Sequence, residues 1–307
     1  MIDIKSINCF DAAAIADSGQ VFRAEIKPNG VHFISGGEYA IVKNGEIICT
    51  NDDYFTKYFD LETDYENIKN TAVLPQKIKD PSSGIRILNG DIVEIIISFI
   101  ISANNNIKRI KKTIAALCER FGTPHQFTPT HPIDFPRQFD PEQPVTPEQT
   151  LVSAHSVTVA HQFAPGQTIT YYAFPTLDAL TRITADDFKT MGCGYRAEYL
   201  VKTAAALQAV KFDEWQKLND DELYQQIIKL HGVGDKVARC IMLFAFHRLN
   251  IIPVDTWIIK TAGNFVDVVG KTPKTVAVEL QKYFGAFGGI AQQYIFYYTQ
   301  FLKQNID

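Results

Sequence analysis

Residues 230–238 read LHGVGDKVA, a glycine-containing turn between two segments with helical spacing. Glycine lets the backbone enter left-handed conformations and approach another molecule closely. The turn also leaves unpaired N–H groups at the start of the second helix, and such a helix start attracts phosphate. The stretch therefore predicts a helix–hairpin–helix, a module able to hold a DNA backbone without reading its sequence.

Two residues of this region have the chemistry of a catalytic pair. Lys236 falls in the first turn of the second helix, and Asp255 follows in the stretch PVDTW. A cation at a helix N-terminus opposes the helix dipole, so the position favours the neutral amine, which is able to form a Schiff base. The Asp255 carboxylate is suited to stabilising positive charge on a sugar or to assisting proton transfer. Taken singly, Lys236 is better explained as a solvated lysine and Asp255 as a helix N-cap. Their joint occurrence, in this order and at this spacing, is much more specific and favours catalysis.

The N-terminal part has the pattern of a β-sheet. Residues 20–52 alternate short apolar segments with the turn sequences PNG, GG and NG, which is typical of antiparallel hairpins. From residue 84 the spacing becomes helical. We therefore predict an α+β protein with an antiparallel sheet domain over residues 1–83 and a mainly helical body over residues 84–307.

The helical body begins with two predicted helices. Asp91 and Glu94 have the spacing of a capping box at the start of a helix over residues 92–102, and a basic helix follows from Ile107 to Phe121. Further helices are predicted at 176–181, 184–191, 195–209, 220–230, 235–247, 255–266, 273–284 and 288–303.

Residues 123–170 differ from the rest of the chain. They hold more than half of the 14 prolines and four of the seven histidines, and they show no apolar period. The sequence therefore predicts an inserted loop within the helical body. Its histidines (His125, His131, His155 and His161) are too far apart for a local metal motif, so we predict scattered surface histidines rather than a metal site.

The composition excludes several classes of protein. With 46% apolar and 21% charged residues, the chain is expected to fold, and its longest apolar run is far shorter than the ~18–20 residues of a membrane-spanning helix. The N-terminus lacks the pattern of a secretory signal. The five cysteines are too widely spaced for a zinc or iron–sulfur site and indicate a reducing, intracellular compartment. Because the formal net charge is −4, any binding of nucleic acid has to rest on a local surface.

Four further stretches carry a family resemblance: SGQVFR at 18–23, GIRILNGDIVEIIISFIISANNNI at 84–107, GCGYRA at 192–197 and AQQYIF at 291–296. Together with the hairpin they resemble the 8-oxoguanine DNA glycosylases of the eukaryotic type, within the helix–hairpin–helix glycosylase superfamily. The likeness covers most of residues 10–122 and 171–303. It implies excision of 8-oxoguanine opposite cytosine, then β-elimination at the abasic site, with no metal or other cofactor. The expected partner is duplex DNA carrying an oxidised purine, bound by an intracellular monomer that does not associate with membranes.

The resemblance also implies roles in the flipped-base pocket. Lys236 would displace the base with support from Asp255, and the Gly19 carbonyl would accept a hydrogen bond from the N7–H that 8-oxoguanine has and guanine lacks. Reading of the base edge and stacking on its two faces would fall to Gln292, Phe296 and Cys240. On periodicity alone, Phe296 fits a hydrophobic core better than a binding role, and Cys240 is an ordinary buried thiol.

Other positions would contact the rest of the DNA. Asn104, Arg109 and Arg196 resemble residues that hold the unpaired cytosine, and Tyr195 resembles a wedge that enters the gap. The DNA-binding set is completed by His231, Gly232, Gly234 and Trp257. Without the resemblance, Arg109 belongs to a solvated helix face with its neighbouring lysines (Lys108, Lys111 and Lys112), which are otherwise phosphate contacts.

Three departures from the family pattern affect details. His231 replaces a usual proline, Trp257 a frequent histidine, and Ala24 a common tryptophan. Two other functions stay open. An alkylated-base glycosylase on the same scaffold works through an aspartate and activated water, so Lys236 argues against it. The other is a non-catalytic DNA-binding protein, for which the hairpin alone would be sufficient.

Overall fold

A five-stranded antiparallel sheet forms the N-terminal part of the computed structural model, which describes residues 1–71, 74, 78–79, 82, 84–129, 168–255, 258–260 and 272–299. The spatial order of the strands is β1-β5-β4-β3-β2. Their bounds are β1 Ile2–Asp3, β2 Ala24–Lys27, β3 Gly30–Ser35, β4 Glu38–Lys43 and β5 Glu46–Cys49. Asn44 and Gly45, with φ of 52° and 77°, form the tight turn between β4 and β5. The predicted antiparallel sheet is confirmed.

Three short helices in this part of the chain were not predicted from the sequence. They are α1 Ala12–Asp17, α2 Asp52–Tyr58 and α3 Tyr65–Thr71. The first two pack on one face of the sheet, whereas the third packs on the core of the helical body. Asp11 and Asn51 cap the first two, accepting backbone N–H groups with their side chains. Phe33 on β3 is fully buried against Phe59, with ring centroids 4.9 Å apart. These helices are too short to show a helical period, which is why only the strands were visible in the sequence.

The remaining described chain is mainly helical. Its helices are α4 Ile92–Ser102, α5 Ile107–Phe121, α6 Leu177–Thr181, α7 Ala185–Thr190, α8 Arg196–Leu207, α9 Phe212–Lys217, α10 Asp220–Ile227, α11 Asp235–Phe244, α12 Pro273–Phe284 and α13 Gly288–Tyr297, with a 3₁₀ turn at Gly285–Phe287. The apolar helix α4 lies at the centre and packs against α5, α8 and α11. No helix in the described ranges is long and apolar enough to cross a bilayer. The predicted α+β class with a helical body is confirmed.

One helix was missed, one predicted helix lies largely outside the described residues, and one predicted capping box is wrong. Helix α9 was not predicted, and the helix predicted at 255–266 is described only at 258–260. At the start of α4, the Asp91 side chain accepts the Glu94 N–H as predicted, at 2.8 Å. The Glu94 carboxylate, however, does not complete a capping box. It is buried and pairs with Arg23 at 3.1 Å, because a buried carboxylate needs an opposite charge more than a helix start needs a second cap.

The ends of the predicted insertion are strands rather than loop. Strands β6 Pro124–Phe127 and β7 Ile169–Tyr172 pair as an antiparallel two-stranded sheet. Phe127 and Tyr171 pack on Tyr39, on the face of the five-stranded sheet opposite α1 and α2. Two four-residue strands separated by 41 residues leave no pattern that the sequence alone reveals. Residues 130–167, with three of the four histidines of the insertion, lie outside the described residues.

His32 lies on the face of the sheet that β6 and β7 cover. Its side chain is buried, and each ring nitrogen has a polar partner. Its Nε2 lies 2.8 Å from Asn29 Oδ1, and its Nδ1 contacts the Tyr39 hydroxyl. Burial lowers the pKa of His32 from 6.5 to about 4, because the imidazolium would lose its hydration there. The unfolded chain therefore takes up a proton at His32 at a pH where the folded protein does not.

This difference predicts a loss of stability in mild acid. His32 contributes its full stabilisation above its unfolded pKa of 6.5 and loses it as the pH falls toward the folded value of about 4. Between pH 7.5 and pH 5.0, urea unfolding should show wild type losing about 2 kcal/mol more than His32→Gln, which cannot titrate. Equal losses in the two proteins would contradict the assignment.

Candidate active site and DNA-facing loops

The predicted hairpin lies between α10 and α11. Gly232 has a φ of +78°, and Gly234 is the N-cap of α11 in an extended conformation. Because the N-cap is a glycine, no side chain caps the first turn of α11. A Cβ added at Gly234 would meet no atom within 4 Å. The start of α11 therefore offers backbone N–H groups beside open space, as phosphate binding at a helix start requires.

Lys236 is exposed in the first turn of α11, above an aromatic surface. Its Nζ lies 5.8 Å from the centroid of the Phe99 ring, which stacks on Phe244 at 5.4 Å. Phe22 contacts the edge of Phe99, with centroids 5.6 Å apart. The amine is thus held over an apolar floor built from the N-terminal segment, α4 and α11. Phe99 was not predicted as a site residue, since nothing in the α4 sequence connects it to residue 236.

Cys240, one turn beyond Lys236, is buried and links the predicted catalytic pair. Burial raises the pKa of the Cys240 thiol; Lys236, which is hydrogen-bonded to it, lowers that pKa, and the Asp255 carboxylate raises it. Both predicted catalytic groups are therefore close enough to Cys240 to act on the same thiol. Asp255 Oδ1 also accepts the Ile258 N–H at 2.8 Å, so the carboxylate is fixed as a helix N-cap.

The carboxylate next to Lys236 in the chain is held in place by two other side chains. Asp235 Oδ1 accepts the Tyr224 hydroxyl at 2.9 Å, and Arg239 Nε pairs with Asp235 Oδ2 at 3.2 Å. This network was missed in the sequence, although the i,i+4 spacing of Asp235 and Arg239 is a visible signal. These contacts direct the Asp235 carboxylate toward Tyr224 and Arg239.

Gly19 of the N-terminal segment and Phe296 of helix α13 lie next to each other. Gly19 has a φ of +79°, and a Cβ added there would lie 3.1 Å from Phe296 Cε1. On the same helix α13, the Gln293 side chain donates to the Ser18 carbonyl. Gln292 is buried, and its Oε1 is one of the few buried side-chain acceptors in the described residues with no hydrogen-bond partner. A buried acceptor without a partner is costly, which is a mark of a group that awaits a ligand.

The segment carrying Gly19 is anchored to the helical body by buried polar groups. The Gln20 amide donates to the Arg86 carbonyl at 2.8 Å and accepts the Leu88 N–H at 2.9 Å. Arg23 pairs with Glu94, whose Oε2 also accepts the Gly36 N–H at 2.8 Å. Gln20 and Arg23 are therefore structural members of the SGQVFR stretch, and they fix where Gly19 lies.

The two loops expected to face the opposite strand lie side by side. Asn104 is exposed with a φ of +49°, and exposed Arg109 donates to the Gly192 carbonyl at 3.0 Å. Arg196 is only 6% exposed; it donates to the Asn104 carbonyl at 2.7 Å and also to the Ala103 carbonyl. In this structure Arg196 therefore ties the two loops together rather than presenting a free guanidinium.

Other predicted DNA-facing residues differ in exposure. Tyr195 is 58% exposed, with the Arg196 guanidinium 4.5 Å from its ring centroid. His231 is exposed, and its carbonyl accepts the Thr203 hydroxyl at 2.8 Å. Trp257 lies outside the described residues. Among the three lysines of α5, Lys108 and Lys112 are exposed, whereas Lys111 donates to the Ala24 carbonyl at 3.1 Å and so joins the helix to the sheet.

Comparison with known proteins gives consistent relatives. No family model matches the chain. It is 31% identical over 226 residues to an N-glycosylase/DNA lyase OGG1 of Arabidopsis thaliana and 29% identical over 234 residues to an N-glycosylase/DNA lyase of Saccharomyces cerevisiae. These matches cover 69% and 70% of this chain but 51% and 52% of the relatives, so the chain spans about half the length of the curated relatives it matches.

A solved structure is similar over nearly its whole length. It is the Clostridium acetobutylicum 8-oxoguanine glycosylase/lyase in complex with double-stranded DNA containing cytosine opposite 8-oxoguanine. The sequence identity is 31% and the TM-score 0.77, with 97% of this chain and 94% of that chain covered.

The loop-tying role of Arg196 predicts a stability defect. Arg196→Met would remove the donors that hold the Ala103 and Asn104 carbonyls and would untie the two loops, which should lower the free energy of unfolding by about 2–3 kcal/mol. Arg182→Met, at an exposed arginine, should change it by less than about 0.5 kcal/mol. Urea unfolding of the two variants checks this, and similar values for both would show that the Arg196 contacts do not stabilise the fold.

Proposed function

The chain belongs to the 8-oxoguanine glycosylase/lyase family, and on that premise we propose that it excises 8-oxoguanine opposite cytosine through Lys236 and then nicks the strand. The observation that carries the proposal is the arrangement around Cys240. An exposed lysine at a helix start and a fixed carboxylate both lie near one buried thiol, and elsewhere Gly19 lies next to Phe296 on the helix that also carries the buried Gln292.

In the proposed reaction, the neutral Lys236 amine attacks C1′ of the flipped nucleotide and the bond to the base breaks. The base leaves with the bonding electrons and takes up a proton. Positive charge develops on the sugar as this bond lengthens, and the Asp255 carboxylate stabilises it. Opening of the sugar ring gives a Schiff base at Lys236. Loss of a C2′ proton then expels the 3′ phosphate, which cleaves the strand by β-elimination.

We propose that the damaged base is recognised by the backbone of Gly19 and by the side chains of Gln292, Phe296 and Cys240. The Gly19 carbonyl would accept the N7–H of 8-oxoguanine, whereas guanine would present an acceptor to that acceptor. Gln292, whose buried Oε1 has no partner, would hydrogen-bond the base edge. Phe296 and Cys240 would enclose the two faces of the ring. Gly19 and Phe296 are already in contact, so this part of the pocket needs no rearrangement.

On the opposite strand, we propose that Asn104 and Arg109 hold the unpaired cytosine while Tyr195 fills the gap. For Arg196 to share this task, it has to exchange at least one loop carbonyl for a base acceptor when DNA binds. The hairpin (His231, Gly232, Gly234, with Trp257) would hold the phosphates. The chain would act as a monomer where genomic DNA lies, with a domain boundary near residue 83.

Borohydride trapping on duplexes with 8-oxoguanine opposite cytosine tests the nucleophile. Wild type and Lys236→Gln are compared, and Lys217→Gln at an exposed lysine of α9 serves as the control. We expect covalent adducts with wild type and Lys217→Gln and none with Lys236→Gln. Base release without an adduct in wild type would favour activated water, as in alkylated-base glycosylases. Binding with neither release nor adduct would favour a non-catalytic DNA-binding protein.

A second prediction concerns the base pocket. A methyl group at residue 19 would press on the Phe296 ring and occupy a backbone conformation with positive φ. Gly19→Ala should lower the excision rate of 8-oxoguanine at least roughly tenfold, equivalent to about 1.4 kcal/mol, because the base no longer fits. Trapping on DNA with a preformed abasic site should be retained, since no base has to enter.

The control for this change is Gly37→Ala, where a Cβ would have its nearest neighbour at 4.0 Å. It should leave both reactions unchanged. If Gly19→Ala lowered excision and abasic-site trapping equally, the defect would lie in DNA binding or folding, and the proposed recognition by the Gly19 carbonyl would be wrong.

A further inference from the structure

Tyr199 on helix α8 touches the wedge residue Tyr195, although no sequence signal pointed to it. The two ring centroids are 6.0 Å apart and the ring planes are inclined at 80°, an edge-to-face contact. Both tyrosines are exposed, at 58% for Tyr195 and 39% for Tyr199. With Arg196 against it as well, the Tyr195 ring is held by two partners although most of its surface faces solvent. An exposed ring fixed in this way is prepared to enter a duplex with little loss of rotamer freedom.

The other side of Tyr199 packs on the DNA-binding hairpin. A Cβ added at Gly232 would lie 2.8 Å from both Cβ and Cδ2 of Tyr199, so the residue facing Tyr199 has to be glycine. One turn further along α8, the Thr203 hydroxyl donates to the His231 carbonyl at 2.8 Å. Two successive turns of α8 are therefore attached to the hairpin, and the same helix carries the wedge at its start.

We propose that Tyr199 is a positioning residue for DNA opening, which fixes the Tyr195 ring relative to the hairpin that grips the backbone. The inference rests on the proposed function and assigns Tyr199 no contact with the reacting atoms. A wedge works only if its distance from the bound phosphates is constant, since the duplex is pushed apart between those two points. Tyr199 is in contact with both points and so transmits that constraint.

The test separates ring contact from folding by the choice of substitution. Tyr199→Leu keeps Cβ, Cγ and Cδ atoms for packing on Gly232 but removes the ring that touches Tyr195. Tyr199→Phe keeps the ring. Tyr283→Ala is the matched control, because Tyr283 is 45% exposed on α12 and also makes an edge-to-face contact, with Phe284. Thermal melting of all four proteins establishes that each is folded.

The readouts are DNA opening and single-turnover excision at saturating enzyme. Opening is followed by the fluorescence of 2-aminopurine placed next to 8-oxoguanine, which rises as the base unstacks. For Tyr199→Leu we expect a slower fluorescence rise and an excision rate reduced about 5- to 10-fold, the size of effect of one aromatic contact. The Kd for duplex DNA should change less than about threefold, because the hairpin contacts remain. Tyr199→Phe and Tyr283→Ala should behave as wild type.

The outcomes decide the inference and the proposed function separately. Wild-type opening by Tyr199→Leu, or an equal defect in Tyr199→Phe, would overturn the positioning role. A loss of DNA affinity that accounts for the whole defect would also overturn it, since Tyr199 would then only support the hairpin. If wild type opens the duplex but excises nothing, the proposed function fails, and the fluorescence of the Tyr199 variants still decides the inference.

Discussion

Burial of the Arg23–Glu94 ion pair is the constraint that fixes the sheet on the helical body. Both side chains are less than 10% exposed, so each charge depends on the other and on its remaining partners. Burial raises the pKa of Glu94 and Arg23 opposes that rise. The Gly36 N–H and the Tyr172 carbonyl satisfy the outer atoms of the pair, so one interaction joins the turn between β3 and β4, helix α4 and strand β7. The pair therefore holds these elements together and anchors the segment that carries Gly19, which lies next to Phe296.

The active site inherits its geometry from the same helix that carries Glu94. One turn after Glu94, α4 presents its buried face to α11, and Phe99 stacks on Phe244 there. This contact determines where the first turn of α11 lies and therefore where Lys236 projects. The sheet reaches the same point from the other direction, since Phe22 contacts the edge of Phe99. The proposed nucleophile Lys236 and the N-terminal segment that carries Gly19 are thus connected through one packed aromatic layer, although they are far apart in the sequence.

Features that depend on residues close together in the sequence were predicted, whereas features that depend on residues far apart in the sequence were not. Turns and caps were found because their determinants lie within four residues: Asn44-Gly45 predicted a hairpin, and the helix predicted at 273–284 begins directly after its N-cap, Thr272. Glu94 was misinterpreted for the same reason, since its local spacing to Asp91 was visible and its partner 71 residues away was not. The strands β6 and β7 and the aromatic floor at Phe99 likewise depend on partners distant in the chain. The positions of Lys236 and Gly19 were expected only because the family resemblance supplied long-range information that periodicity lacks.

The proposed site has one side for the flipped base and one for the opposite base. The two sides differ in whether their hydrogen-bonding groups already have partners in the protein. On the side of the flipped base, Gly19, Phe296 and the partnerless Gln292 Oε1 are already in place, so binding there gains a hydrogen bond without breaking one. On the side of the opposite base, the Arg196 donors are occupied by loop carbonyls. Exchange of one such bond for a bond to cytosine is close to neutral in energy, whereas a base that offered no acceptor would leave the arginine with its loop. In the proposed function, Arg196 would therefore bind only a base whose acceptor replaces the loop carbonyl that it releases, and discrimination on this side would depend on that exchange rather than on an open pocket.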